Sequence, residues 1–177
     1  VEGERKIPGF ETIPVGVAGT GDFNDYQVAG AMKGYIMNYK EDKPFLAVAG
    51  LMNPHDICYW TPPLHGNTLV PKTDLFNLGN SLPPLPPNFD FQFKDPSPKQ
   101  QVKFSKSEWQ NYLYDYCRMI EKLDADLGRL LDAVDSRSDE TLVLFTSDHG
   151  EGSARHKRVQ KWHPFEESVK VPFIAYL

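Results

Sequence analysis

A chain of 177 residues with 24 Asp and Glu against 19 Lys and Arg, a net charge of −5 and 40% apolar residues has the composition of a globular domain; at this length roughly 70% of the unfolded surface can be buried around one core. The acidic balance excludes a general nucleic-acid or anionic-membrane surface, since both reward a basic excess, and no apolar run is long enough to cross a bilayer as a helix. Two cysteines, Cys58 and Cys117, make at most one bridge, match no zinc-binding spacing and leave the redox compartment open.

The first residue is Val1, no basic-then-apolar leader follows, and the closing "VPFIAYL" stops inside a strand-like pattern, so the chain is expected to be an internal fragment of a longer protein. No internal repeat is found. Helical and strand patterns alternate, which predicts an α/β fold with a largely parallel sheet flanked by helices, in a single partial domain over 1–177. Asp22 is expected to cap a helix in which Val28, Met32, Ile36 and Tyr39 recur at helical spacing, and Lys43-Pro44 ends it. "FLAVAGLM" (45–52) is short and continuously apolar, the pattern of a strand buried on both faces, and it stops at "NPHD".

From about 53 to 105 the chain is proline-rich, with "TPPLHG" and "LPPLPPNF", and shows little periodicity. Trp60, Leu82, Leu85, Phe89, Phe91 and Phe93 are too apolar for a solvated linker, so this long loop is expected to wrap another part of the protein or to carry function. Ser107 followed by Gln110 resembles a capping box. It opens a long helix whose apolar stripe is Trp109, Leu113, Tyr116, Ile120, Leu123, Leu127, Leu130, Leu131 and Val134, with Cys117 expected as a buried small hydrophobe beside it. "TLVLFT" is a second buried-type strand ending at "SDHG", and "VKVPFIAYL" a third.

Parallel strands joined by a right-handed crossover point the same way, so "NPHD" and "SDHG" are expected at the carboxyl edge of one sheet, where open α/β sheets bind their ligands. Asp148 and His149 leave their strand together, a carboxylate oxygen and an imidazole nitrogen suited to a divalent cation, although Asp after a strand is also a common turn residue. "ARHKRVQK" then gathers Arg155, Lys157, Arg158 and Lys161 around His156. Positive charge this local in an acidic chain fits an anionic substrate, although composition alone favours a solvated basic loop; no aromatic residues interleave for stacking on nucleic acid. His55, held behind Pro54, can donate to an oxyanion or protonate a leaving group. His65 has no supporting motif, and packing is the expected role of His163 between Trp162 and Pro164.

Together these segments resemble the sulfatase family of the alkaline-phosphatase superfamily. "KPFLAVAGLMNPHDI" resembles that family's strand ending in Asn-Pro-His, "YCRMIEKLDADLGRLLDAV" its long helix, and "TLVLFTSDHGEGSARHKRVQKWHPFEESVKVPFI" its metal and lysine segment. The resemblance implies Ca2+ held by Asp148 and His149 with further ligands upstream. It makes Lys161 the lysine that bridges sulfate and nucleophile, His55 the histidine that contacts the sulfate or leaving oxygen, and His156 a substrate-pocket position. Hydrolysis of a sulfate monoester, carbohydrate or aryl, is then expected, in a periplasmic, secreted or lysosomal protein.

The family's nucleophile is a formylglycine made from the first residue of a Cys- or Ser-x-Pro/Ala-Ser-Arg motif. Neither "CYWTP" nor "CRMIE" supplies it, and the paired upstream aspartates of the calcium site are also absent. The segment alone is therefore expected to be inactive and, with exposed sheet edges, prone to self-association. Two alternatives stand beside the sulfatase reading: a phosphonate or phosphodiester hydrolase of the same superfamily, and a non-catalytic homologue that binds sulfated glycans.

Overall fold

In the computed structural model the residues described are 7–13, 15, 20–60, 82–91, 102–137 and 140–177. His65, Phe93 and most of the proline-rich stretch lie outside them. Helix α1 runs from Gly21 to Asn38, with Thr20 at its N-cap but no side-chain cap bond from it. Asp22 is not the cap that its position promised: it sits inside the first turn, where its carboxylate takes a 2.6 Å bond from the Lys122 ammonium. The orphan amides of that turn are served from a distance, because Asp56 Oδ2 accepts the Asp22 N–H at 3.3 Å.

The buried carboxylate of α1, Asp25, accepts the N–H of Met52 and of Asn53, each at 2.7 Å, and so ties the end of the 45–52 segment to the helix. Gly21 is needed for that approach, since a Cβ there would lie 2.8 Å from both the Asn53 nitrogen and Asp25 Oδ2. Segment 45–52 alternates in exposure, with Leu46 and Val48 facing outward. Among the described residues it pairs with no strand, which departs from the expected two-sided burial in a parallel sheet.

Helix α2, Lys106–Asp135, begins two residues earlier than the sequence signal: its capping box is Ser105 with Glu108, not Ser107 with Gln110. Its core face is narrower than the apolar stripe, with Trp109, Tyr112, Met119 and Ala133 buried while Ile120 and Leu131 are exposed. Cys117 is exposed, because 3.6-residue periodicity turns it past Tyr116 and off the packed face. Polar and aromatic contacts join α2 and the turn after it to α1: Arg137, just past the helix, donates to the Ile36 carbonyl at 2.8 Å, and the Arg129 guanidinium lies 3.9 Å from the Tyr26 ring centre.

The sheet of the described residues has two strands, β1 (Val143–Thr146) and β2 (Phe173–Tyr176), antiparallel and registered from Val143 opposite Tyr176 to Thr146 opposite Phe173. Both strands expected here exist. A one-turn helix α3, Glu166–Val169, precedes β2. The core forms where α2 meets the loops: Trp109 and Tyr112 pack edge-on against Trp60, Phe89 and Phe104, and Ile57, Ala154 and Val159 close the cluster. Edge-to-face rings at such spacings add to the area buried, so α2 fixes both loops that carry the candidate residues.

Candidate functional site

His55 opens a 3-10 turn, His55–Trp60, that follows a cis Asn53-Pro54 bond. Its N–H donates to the Met52 carbonyl at 2.9 Å, and the turn is nailed down from beneath by buried Ile57 and Trp60, whose indole N–H donates to Asp115 on α2. The imidazole stays partly exposed while Asp56 beside it is wholly buried. Side chain follows backbone here: a tight turn with apolar residues inward leaves its first residue facing out.

At the end of β1, Ser147 Oγ donates to the His149 carbonyl at 2.8 Å and the His149 N–H donates to Asp148 Oδ1 at 3.0 Å. His149 Nδ1 lies 2.9 Å from the Gly150 carbonyl, which makes it the protonated nitrogen. Nε2 is then the lone-pair nitrogen, 3.5 Å from Asp148 Oδ2. Asp148 and His149 thus offer one exposed carboxylate and one oriented imidazole to a cation. Among the described residues no group of three or more His, Cys, Asp or Glu is placed to hold a metal, so this pair fits a part of a coordination shell that for Ca2+ has about 6–8 ligands.

The loop between β1 and α3 is held by backbone bonds from Gly152 N–H to Gln160 and from Ala154 N–H to Arg158, and by the Glu151 carboxylate, which accepts from the Tyr112 hydroxyl at 2.7 Å and from the Gln160 N–H. Ser153, Ala154, His156, Lys157 and Gln160 all have positive φ, a concentration of left-handed backbone that side-chain residues adopt only under constraint. Burial pushes the Glu151 carboxyl up, against these hydrogen bonds and the nearby Lys161 ammonium.

The basic cluster resolves into separate roles. Arg155 pairs with Glu167 at 3.6 Å, Lys157 with Asp90 at 2.8 Å, and Arg158 is buried with its guanidinium 5.2 Å from the Phe165 ring centre. Lys161 makes no ion pair among the described residues. His156 is engaged on both ring nitrogens, Nδ1 donating to the Phe91 carbonyl at 2.7 Å and Nε2 meeting the Asn88 amide at 3.1 Å, so it fastens the loop to segment 82–91. His163 is buried against Ser168 and the Phe165 ring, the packing role expected of it.

Lys161, Asp148 and His149 all come within electrostatic range of His55, Lys161 across more than a hundred residues of chain. Burial and then Lys161 hold the His55 imidazole below its ordinary range, while Asp56 and Asp148 pull the other way. Cys58, with its Sγ 3.9 Å from His55 Nδ1, has a thiol pushed up to about 11 by burial first, so it is a neutral neighbour and no nucleophile at pH 7. A cavity of about 360 Å3 between α1 and α2, lined by Asp22, Tyr26, Asn53, Lys122 and Asp126 among others, contains none of the sequence-predicted residues. Sequence reasoning assigned no role to Asp25, Asp56 or Glu151. The last two are quoted inside "NPHD" and "DHGEG", and an acid within two residues of a candidate histidine was the available signal.

A strand-end Asp-His pair, a lysine with no ion pair among the described residues and a loop histidine thus share one neighbourhood. The family model for sulfatases matches residues 9–177, and the chain belongs to the sulfatase family. It is 32% identical over 158 residues to the Delta 4,5-hexuronate-2-O-sulfatase of Bacteroides thetaiotaomicron, covering 79% of this chain and 31% of that protein. Human (Homo sapiens) iduronate 2-sulfatase is 28% identical over 150 residues, 76% of this chain and 26% of the relative. The chain therefore spans about a third or less of the curated relatives it matches. A solved 2-O GAG sulfatase superposes with a TM-score of 0.71 at 23% identity over 96% of this chain and 38% of that one, so the two share the α/β sulfatase fold.

Proposed function

We propose that this chain is the anion-binding portion of a sulfatase that hydrolyses a sulfate monoester, with Lys161 and His55 acting on the sulfuryl group. The observation that supports the reading is that Lys161, Asp148 and His149 all lie within electrostatic range of His55, with Lys161 making no ion pair among the described residues. The ammonium would neutralise sulfuryl charge and His55 would donate to the leaving oxygen as the S–O bond breaks. Asp148 and His149 would hold a divalent cation, Ca2+ by family resemblance, which supplies further positive charge at the sulfate oxygens when bound. The formylglycine nucleophile and the remaining ligands are assigned to residues outside these 177. His156 contributes by holding the loop rather than by touching the ester.

Both named relatives act on a sulfate at the 2-position of a uronic acid, so a 2-O-sulfated uronide is the first substrate class to try, in a protein exported from the cytoplasm or lysosomal. The parallel sheet belongs to the same proposal: segment 45–52 would run beside β1 within one catalytic domain, with the proline-rich 53–105 as its long loop. The test is to incubate the full-length protein with a 2-O-sulfated uronide, 4-nitrophenyl sulfate, a phosphonate monoester and bis(4-nitrophenyl) phosphate. Release of inorganic sulfate, reduced about a hundredfold or more in Lys161→Ala, is expected. Preference for the phosphorus esters would favour the phosphonate or phosphodiester reading, and sulfated-glycan binding with no turnover the non-catalytic one.

A further inference from the structure

Asp56 is buried completely, yet its two oxygens differ. Oδ2 accepts the Asp22 N–H from the first turn of α1, whereas Oδ1 has no hydrogen-bond partner. A buried carboxylate oxygen is among the costliest groups to leave without a donor. A candidate donor, His55 Nδ1, lies 3.9 Å away.

We propose that Asp56 is the positioning residue for His55: its anchored carboxylate draws the Nδ1 proton toward Oδ1 and leaves Nε2 as the ring nitrogen that takes up a proton when an anion binds beside Lys161 and donates it to that anion. Cys58 Sγ stands at the same 3.9 Å from Nδ1, but a neutral thiol is a weak acceptor, and charge-assisted bonds are about twice as strong as neutral ones. The present separation exceeds a hydrogen bond by about 1 Å; such contacts tighten when the ring becomes charged. Anchoring on α1 gives the carboxylate its fixed direction. The other groups acting on the ring are Lys161, His149 and Asp148, with the Tyr59 ring edge-on at 6.0 Å.

The geometric part stands without any activity; its consequence for turnover rests on the sulfate-ester reading. In 15N-histidine-labelled full-length protein, with His55 assigned by its loss in His55→Gln, long-range 1H–15N correlation reports the neutral tautomer. Nδ1–H is expected, and Nε2–H would overturn the proposal even if every Asp56 variant failed to fold. In folded Asp56→Asn, kcat on 4-nitrophenyl sulfate should fall about tenfold or more with KM within about threefold, and the limb governed by His55 should move to lower pH. An unmoved limb with unchanged kcat would sink it. Absence of wild-type turnover on every ester of the panel would refute the hydrolase reading and leave the tautomer to decide the role of Asp56.

Discussion

His55 carries its own pH prediction. In the free protein, burial and Lys161 keep the imidazole neutral below its ordinary titration range. A sulfate ester bound between His55 and Lys161 brings negative charge to both and favours the imidazolium. If His55 is the general acid, activity is lost as pH rises through its pKa. That alkaline limb should therefore lie at higher pH in kcat, which reports the complex, than in kcat/KM, which reports the free protein. Coincident limbs would contradict a sulfate contact at His55. Gly150 makes a separate steric point: its N–H donates to the Ser168 carbonyl at 2.9 Å, and a Cβ would sit 2.0 Å from the Glu167 carbonyl oxygen. Gly150→Ala should cost about 1–3 kcal/mol of stability, read from the urea midpoint, because backbone rather than a flexible side chain must move.

Among the elements, α2 does the positioning. It holds the His55 turn through Trp60 and Asp115 and the Lys161 loop through Tyr112 and Glu151. Its start depends on the Ser105–Glu108 box, in which Glu108 Oε2 also accepts the Ser105 N–H at 2.7 Å. Ser105→Ala should lower stability by about 1 kcal/mol in urea melts, whereas Ser107→Ala, at the position the sequence signal favoured, should be nearly neutral. Equal losses from the two would return the cap to Ser107. The displacement has a plain cause: two serines separated by one residue each precede an acid or amide at the right distance, and only the packing of Trp109 against Phe89 and Phe104 selects between the two registers.

At the scale of the whole chain, apolar surface is left on show. Leu46, Val48, Leu144, Phe173, Ile174, Tyr176 and Leu177 are exposed, and β1 and β2 form a two-stranded ribbon, which rarely stands alone in water. The 177-residue chain expressed by itself should self-associate in light scattering, and Val48→Lys with Ile174→Lys should reduce the effect; a monodisperse monomer would refute it. The same surface fits a chain that spans about a third or less of its relatives.

Sequence alone determined the elements whose signal is local: α1, α2, β1 and β2 follow from periodicity and composition, and the spacing of Asp148, His149, His156 and Lys161 resembled a family closely enough to name it. Tertiary structure decided which of those residues are spent on the fold. Arg155, Lys157 and His156 looked as available as Lys161 in the sequence, yet each found a partner in Glu167, Asp90 or the 88–91 segment. Asp25 and Asp56 looked like ordinary helix and turn acids and became the clamps that join α1 to the His55 turn. Partnership between charges depends on distances across the fold, and burial sets the cost of leaving any of them unpaired; neither quantity is written in residue order.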